Sequence, residues 1–384
     1  MPNKTNRKVV YVFQGGGAFG SYQLGVYQAL KEKGFSPNSI VGISIGAINA
    51  AIIAGNKPEN RLKQLETFWE KVTTLVPFSN LFYNVDTQIK NWIGAQSALW
   101  CGQPGFFNPK LWPSAFSSYK TEELSYYDTS PLKDTLNELI DFDYLNEKHI
   151  RLSLCSVDLA SGDFKIFDSF TETINVEHVM ASGAMPPGFP PIEIDGHFYV
   201  DGGLYSNTPI ISTLDRILGC KIDSRDVLCF MVDLFPAKGA LPTNMNALAE
   251  RVKDIQFASR TSRARYLYSA SKDLCAAISY LTTFLSEDEK KDPKVQEIIK
   301  LGHLNSLDIV HLIYHSQKSE LESKDYNFSK QNYHNHRNNG YNNTIEIYKQ
   351  DGKDWAKNET ENKLNIFTLA DPEKSDLKEL TYEH

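Results

Sequence analysis

Ser44 stands in the spacing Gly42-Ile43-Ser44-Ile45-Gly46, where an apolar run gives way to a run of small residues. A serine on a strand–turn–helix corner of this kind is the arrangement of a nucleophile elbow. The glycines let the backbone turn sharply, and the N-terminus of the helix that follows lowers the energy of an alkoxide at Ser44. Upstream, Gly15-Gly16-Gly17-Ala18-Phe19-Gly20 carries two overlapping readings. Gly15, Gly17 and Gly20 form a G-x-G-x-x-G between a β-branched run and a helix-like run, the spacing of a dinucleotide-binding turn. Three successive glycines also suit a loop that aims backbone N–H groups at a developing oxyanion. The dinucleotide reading needs an acidic residue about 20 positions further on, to hold a ribose hydroxyl. Between Lys33 and Pro58 there is no Asp or Glu, and Ser44 stands where the acid should. The glycine run reads better as an oxyanion loop.

A third stretch, ASGAMPPGFPPIEIDGHFYVDGG over 181–203, ends in Asp201-Gly202-Gly203. By itself that ending could be a hairpin turn. The three motifs in this order resemble the patatin-like phospholipases, of the bacterial type with a C-terminal extension. The glycine loop, the elbow with its helix (GISIGAINAAIIAG) and the Asp-Gly-Gly stretch carry the likeness, which covers about residues 7–235.

The resemblance implies a Ser–Asp dyad without histidine. Ser44 would attack an ester carbonyl, and Asp201 would accept its proton directly. The backbone of Gly15, Gly16 and Gly17 would form the oxyanion hole, with Gly20, Gly42, Gly46, Gly202 and Gly203 as motif glycines. An acyl-enzyme would form, and Asp201 would then activate the water that releases the fatty acid. A free aspartate, with a pKa of about 4, is a poor base for a serine hydroxyl. The scheme requires a partly desolvated carboxyl. The implied activity is that of a lipid acyl hydrolase, phospholipase A or lysophospholipase in type, with no metal and no organic cofactor. The chain departs from many relatives at two positions. They carry an acid before the glycines and an arginine within the loop, where this chain has Gln14 and Phe19. An arginine there could contact a phosphate, so headgroup recognition is left open.

The elements that would position these residues follow from pattern. KVVYVF (8–13) reads as a buried strand. A helix over 21–33 stops at Gly34, a strand covers 40–43, a small-residue helix covers 45–54, and another helix covers about 59–72. This alternation predicts an α/β fold: a three-layer α/β/α, patatin-like architecture with a mostly parallel central sheet. Strands are expected at 150–157, 163–167 and 226–234. Residues 7–235 are expected to form the acyl hydrolase domain and 236–384 a mainly helical C-terminal region. There, Thr243 or Asn244 would cap a long helix into the 280s, a further helix would follow the charged run 286–294, and 308–315 would be strand-like. The Asn- and His-rich 326–343 reads as a polar loop.

Between Phe78 and Tyr119 lie ten aromatics: Phe78, Phe82, Tyr83, Trp92, Trp100, Phe106, Phe107, Trp112, Phe116 and Tyr119. Residues 76–120 are expected to be a lid or acyl-chain wall, or a covering insertion with its own small core. The basic residues Arg251, Lys253, Arg260, Arg263 and Arg265 suggest a solvated face, or a docking face for anionic lipid or protein.

Bulk composition excludes several classes. Of the 384 residues 41% are hydrophobic and 23% charged, ordinary for a globular chain. A net charge of −7 gives no footprint for nucleic acid. Five cysteines at unrelated spacings suggest free thiols rather than zinc or disulfides. His311 and His315 would share a strand face without a third ligand, and His197 lies about 13 Å along its strand from Asp201, so no metal site is expected. No secretory leader and no spanning segment is evident, which points to a cytoplasmic protein, peripheral at membranes. The expected partners are a phospholipid or lysophospholipid at a membrane or micelle surface, and a second copy or protein partner through residues 236–384. Rival readings are a catalytically silent patatin fold, a nucleotide-binding oxidoreductase, and an acyltransferase resolving the acyl-enzyme with an alcohol.

Overall fold

The structure, a computed structural model, describes residues 4–73, 100–110, 118–208, 226–259, 261–302, 307–315, 325–355 and 364–369. KVVYVF, without a polar break, forms β1 (Lys8–Phe13), every residue of it buried. It lies at the heart of a nine-stranded sheet. The other strands are β2 (Ser39–Gly42), β3 (Arg151–Asp158), β4 (Phe164–Asp168), β5 (Ile192–Ile194), β6 (His197–Asp201), β7 (Val227–Asp233), β8 (Leu307–Ile313) and β9 (Leu364–Thr368). The order is β9-β8-β7-β1-β2-β3-β6-β5, with β4 on β3. From β9 to β3 all neighbours are parallel; β4, β6 and β5 add an antiparallel end. The architecture is three-layer α/β/α, a mostly parallel sheet flanked by helices.

Helices α1 (Gly20–Glu32), α2 (Ile45–Ala54) and α3 (Arg61–Lys71) follow the first strands, close to the expected bounds. Gly34, with a φ of +83°, ends α1: the Phe35 amide bonds the Leu30 carbonyl across it at 3.0 Å, the left-handed stop that glycine favours. All ten residues of α2 are buried. Helices α4 (Ser130–Leu139), α5 (Phe142–Asn146) and α6 (Val176–Ser182) complete the first part.

The described residues beyond 235 contribute four α-helices and also the sheet edge formed by β8 and β9. Arg7, just before β1, pairs with Asp308 of β8 at 2.6 Å, both side chains almost fully buried. The long helix expected into the 280s is two helices, α7 (Met245–Phe257) and α8 (Thr261–Thr282). Asn244 caps the first, its side chain accepting from the Ala247 amide at 2.9 Å, and Ala258 ends it with an extended ψ of 144°. Helix α9 (Pro293–Leu301) follows the charged run.

The stretch 326–343 corrects the expectation of a loop: most of it is helix α10 (Lys330–Asp351), capped by Ser329. It packs along α1 through glycines. A β-carbon on Gly25 would overlap the Arg337 carbonyl, and one on Gly340 would overlap the Tyr22 carbonyl. Small residues here let two backbones meet, so the contact leaves almost no hydrophobic period in the sequence. None of the described helices is long and apolar enough to cross a membrane.

Candidate active site

β2 ends at Gly42, and two residues later Ser44 turns the chain into α2 with φ +55° and ψ −126°. A positive φ is uncommon for a residue with a β-carbon and marks a turn held in place by its surroundings. The packing explains the hold. A β-carbon on Gly42 would overlap the Gly46 carbonyl, and one on Gly46 the Phe13 carbonyl, so β1, β2 and α2 meet with no side chain between them. From the other side, the Ser44 amide donates to the Ser182 carbonyl at 3.0 Å at the end of α6.

Gly15 lies directly against Ser44: a β-carbon there would stand 2.9 Å from the Ser44 β-carbon and 2.7 Å from Asn207 Oδ1. Asn207 Nδ2 donates to the Gly15 carbonyl at 3.2 Å, and the Phe19 amide donates to the Gly16 carbonyl at 3.1 Å. Peptide planarity then turns the Gly16 and Gly17 N–H groups away from those two partners. Gly17 sits at φ +53° beneath the Asp325 carbonyl. Gln14, at the position where an acid was to be expected, is buried and fully used. Its Oε1 accepts from the Leu234 and Phe235 amides, at 2.5 and 3.1 Å, and its Nε2 donates to Thr208 Oγ1 and the Phe257 carbonyl. It ties the glycine loop to β7 and to the end of α7.

Asp201 ends β6 and is fully buried. Its Oδ1 accepts from the Gly203 amide at 2.7 Å, whereas its buried Oδ2 has no hydrogen-bond partner. Burial pushes the carboxyl up to about 7, while the Gly203 amide and, less strongly, the Ser44 hydroxyl pull it back. The hydroxyl therefore neighbours the carboxyl without being locked to Oδ2 in bonding geometry. Asp201 caps a short 3-10 turn, Gly202–Leu204, in place of a hairpin, and a β-carbon on Gly202 would stand 2.5 Å from the Cys155 carbonyl.

Ser44, Asp201 and Gly15 to Gly17 line one cavity of about 360 Å³, a volume typical of small-molecule sites, which run from about 300 to 1,000 Å³. Its walls are largely apolar, with Ile45, Ile48, Phe106, Phe107, Phe189 and Phe328 among them. The aromatic stretch thus contributes Phe106 and Phe107, while Trp100 and Tyr119 are exposed. Phe78, Phe82, Tyr83, Trp92, Trp112 and Phe116 lie outside the described residues, as do Cys220 and Arg260. At one side the cavity is polar, with Lys253, Gln256, Asp325 and Tyr326, all from beyond residue 235.

The described histidines stay apart from these groups. His197 Nδ1 lies 2.9 Å from Asp158, and His311 Nε2 lies 2.6 Å from Asp233 in the core. Among the described residues no group of three or more His, Cys, Asp or Glu is placed to hold a metal.

A family model described as patatin-like phospholipase matches residues 11–214, a span that holds the glycine loop, Ser44 and Asp201. The chain belongs to the patatin-like phospholipase family. A second family model, described as patatin phospholipase, matches residues 255–362 of this patatin-like chain. Patatin-like phospholipase domain-containing protein 6 of Mus musculus, and that of Homo sapiens, are each 26% identical to it over 274 residues. The match covers 68% of this chain and 17% of those relatives' own length. Among solved structures, VipD from Legionella pneumophila is similar with a TM-score of 0.38 and 16% identity, over 90% of this chain and 67% of that one. ExoU in complex with SpcU, from the type III secretion system of Pseudomonas aeruginosa, gives 0.28 and 15%, over 66% and 50%.

Asn207 and Ser182, which orient the loop and the elbow, and Asp325 at the polar wall escape any reading of sites from sequence, and the parts that Gln14 and Lys253 play here differ from the readings their types suggested. Each acts through a partner tens to hundreds of residues away, and no local spacing marks it.

Proposed function

We propose that this patatin-like chain is a lipid acyl hydrolase that releases fatty acid from phospholipid or lysophospholipid through Ser44 and Asp201. The observation that carries the reading is the pairing of a serine on a positive-φ turn with a fully buried carboxyl whose Oδ2 is unpartnered, both opening into one apolar cavity. Ser44 Oγ attacks the ester carbonyl carbon and gives its proton to Asp201. The N–H groups of the Gly15–Gly17 loop stabilise the oxyanion. The leaving alcohol takes the proton from Asp201, which leaves an acyl-Ser44 ester. Asp201 then takes a proton from water, the hydroxide attacks the ester, and Ser44 leaves as its alcohol. An aspartate raised to about 7 is matched to this work near neutral pH.

In this reading residues 7–235 are the acyl hydrolase unit, and residues 236–384 close its sheet edge and wall the cavity. Leu204, which lines the cavity and is 51% exposed, stands where the acyl chain enters from a membrane or micelle surface.

Labelling with an alkyl fluorophosphonate, with the adduct mapped by mass spectrometry, tests the proposal. An adduct on Ser44 is expected, absent from Ser44→Ala and strongly reduced in Asp201→Asn. An adduct on another residue, or equal labelling of Asp201→Asn, refutes the dyad.

A further inference from the structure

Ser156 on β3 and Asp201 on β6 stand directly opposite each other where the two strands pair antiparallel. Further along this ladder the Leu159 amide donates to the Phe198 carbonyl at 2.8 Å. Hydrogen-bonded and non-hydrogen-bonded pairs alternate in such a ladder, which makes Ser156 and Asp201 a non-hydrogen-bonded pair, the type whose side chains come closest. The Asp201 amide accordingly turns away from β3, to the Ala184 carbonyl at 3.0 Å. Both side chains leave the same face of the sheet, with β-carbons about 4.5–5.5 Å apart. Both residues are fully buried, and each carries one orphan: Ser156 Oγ and Asp201 Oδ2 have no hydrogen-bond partner. Ser182, also at this corner, has its hydroxyl committed to the Cys155 carbonyl at 2.6 Å.

We propose that Ser156 is a positioning residue for Asp201, its hydroxyl donating to Oδ2 whenever the carboxyl is ionised. The inference rests on the reading of Asp201 as the base of this site. Once Ser44 carries the acyl group it has no hydroxyl to offer, and the Gly203 amide holds only Oδ1. A buried carboxylate oxygen left without a donor is strongly unfavourable. Rotation about the Ser156 Cα–Cβ bond, from one staggered well to another, swings the hydroxyl across the gap, and it has no hydrogen bond to break first. A carboxylate oxygen accepts more than one hydrogen bond, so Oδ2 keeps room for the Ser44 hydroxyl or the attacking water. The serine hydroxyl can also accept from the protonated acid. A bond to the charged form is about twice as strong as a neutral one, so Ser156 favours the ionised base. The surrounding charges are occupied elsewhere. Asp158 of β3 pairs with His197, His178 of α6 with Asn175, and Lys253 of α7 with Asp325. None of them acts on the Asp201 carboxyl, which answers to burial, the Gly203 amide and the Ser44 hydroxyl.

The test reads Asp201 protonation without turnover, from its carboxyl stretching band in infrared difference spectra of the full chain against Asp201→Asn. Ser156→Ala should raise the pH at which that band disappears by about one unit, a tenfold change in the proton equilibrium. Ser156→Cys, similar in shape but a weak donor, should shift it in the same direction. Ser156→Thr, which keeps the hydroxyl, should leave it at the wild-type value. Cleavage of an uncharged aryl ester should follow the band. In Ser156→Ala, kcat/KM should fall about tenfold on the acidic limb and return to within about twofold of wild type on the alkaline plateau, with KM unchanged. A hydroxyl that only fills space would lower the rate equally at every pH or leave it alone, and removing it would stabilise the fold. An infrared midpoint that moves in neither Ser156→Ala nor Ser156→Cys overturns the contact. A midpoint that moves while the ester rate ignores it supports the contact and sinks Asp201 as the base.

Discussion

The carbonyl of Asp325 lies against the α-carbon of Gly17, filling the space where a β-carbon would stand. A segment more than three hundred residues downstream is therefore seated on the glycine loop, and Lys253 clamps it there through Asp325. Gly17→Ala meets two obstacles, the overlap with that carbonyl and a left-handed backbone at φ +53°, which costs a residue with a β-carbon about 1–2 kcal/mol. It should reduce kcat about 100-fold by displacing a loop donor, with a Tm lowered by several degrees. Steady-state hydrolysis and thermal unfolding on one preparation check both.

Asp201 predicts a stability that depends on pH in an unusual direction. Its folded pKa of about 7 lies above the 3.8 of a solvated aspartate. Between those values the folded protein keeps a proton that the unfolded chain has lost, so this group's contribution falls as pH rises through the window. Asp201→Asn, which can still accept the Gly203 amide, should be inactive yet more stable than wild type at pH 8, by on the order of 3 kcal/mol. The gap should shrink toward zero near pH 4. Urea unfolding of both proteins at pH 4, 6 and 8 measures it, and a gap that does not vary with pH would show that Asp201 is not desolvated.

The same carboxyl sets the pH dependence of turnover. As the base it must be ionised, so kcat/KM should rise with pH and level off above an apparent pKa near 7, the value to which burial lifts Asp201. A rising limb centred near 4 would mean that the base is an ordinary solvated acid.

The glycine contact between α1 and α10 makes a prediction remote from the site. Gly25→Ala and Gly340→Ala each place a methyl group into the other helix's backbone, at a cost of about 1–3 kcal/mol from overpacking. Because both substitutions pry apart one contact, their costs should fall short of additivity in the double variant. Urea midpoints of the single and double variants test this.

How legible these features were in the sequence depends on how local their causes are. β1, α1, β2 and α2 declared themselves, since KVVYVF and GAINAAIIAG are buried along their whole length and need no knowledge of their neighbours. Ser44, Asp201 and the glycine loop were legible as types and spacings, and the structure places them on one cavity. Helix α10 was hidden because its buried side combines Gly340, Thr344, His336 and Asn332 with few aliphatics. Ser329, accepting from the Asn332 amide at 3.4 Å, was the one local signal of its start. Gln14 shows the converse. Its type alone suggests a lost acid, whereas its four hydrogen bonds make it a splice between the loop, β7 and α7. Only those distant partners reveal that role.

The position of β8 and α10 carries a consequence for synthesis. β7 emerges from the ribosome with one edge bare, and α1 with its glycine face uncovered, until residues 307–351 have been made. At roughly 5–20 residues per second, the interval from Asp233 to Ile313 lasts about 4–16 s. Throughout it Arg7 is without Asp308, and a strand edge is open to any passing chain. An uncovered edge of this kind is a point at which shielding by a chaperone, or rapid elongation, limits wrong pairing.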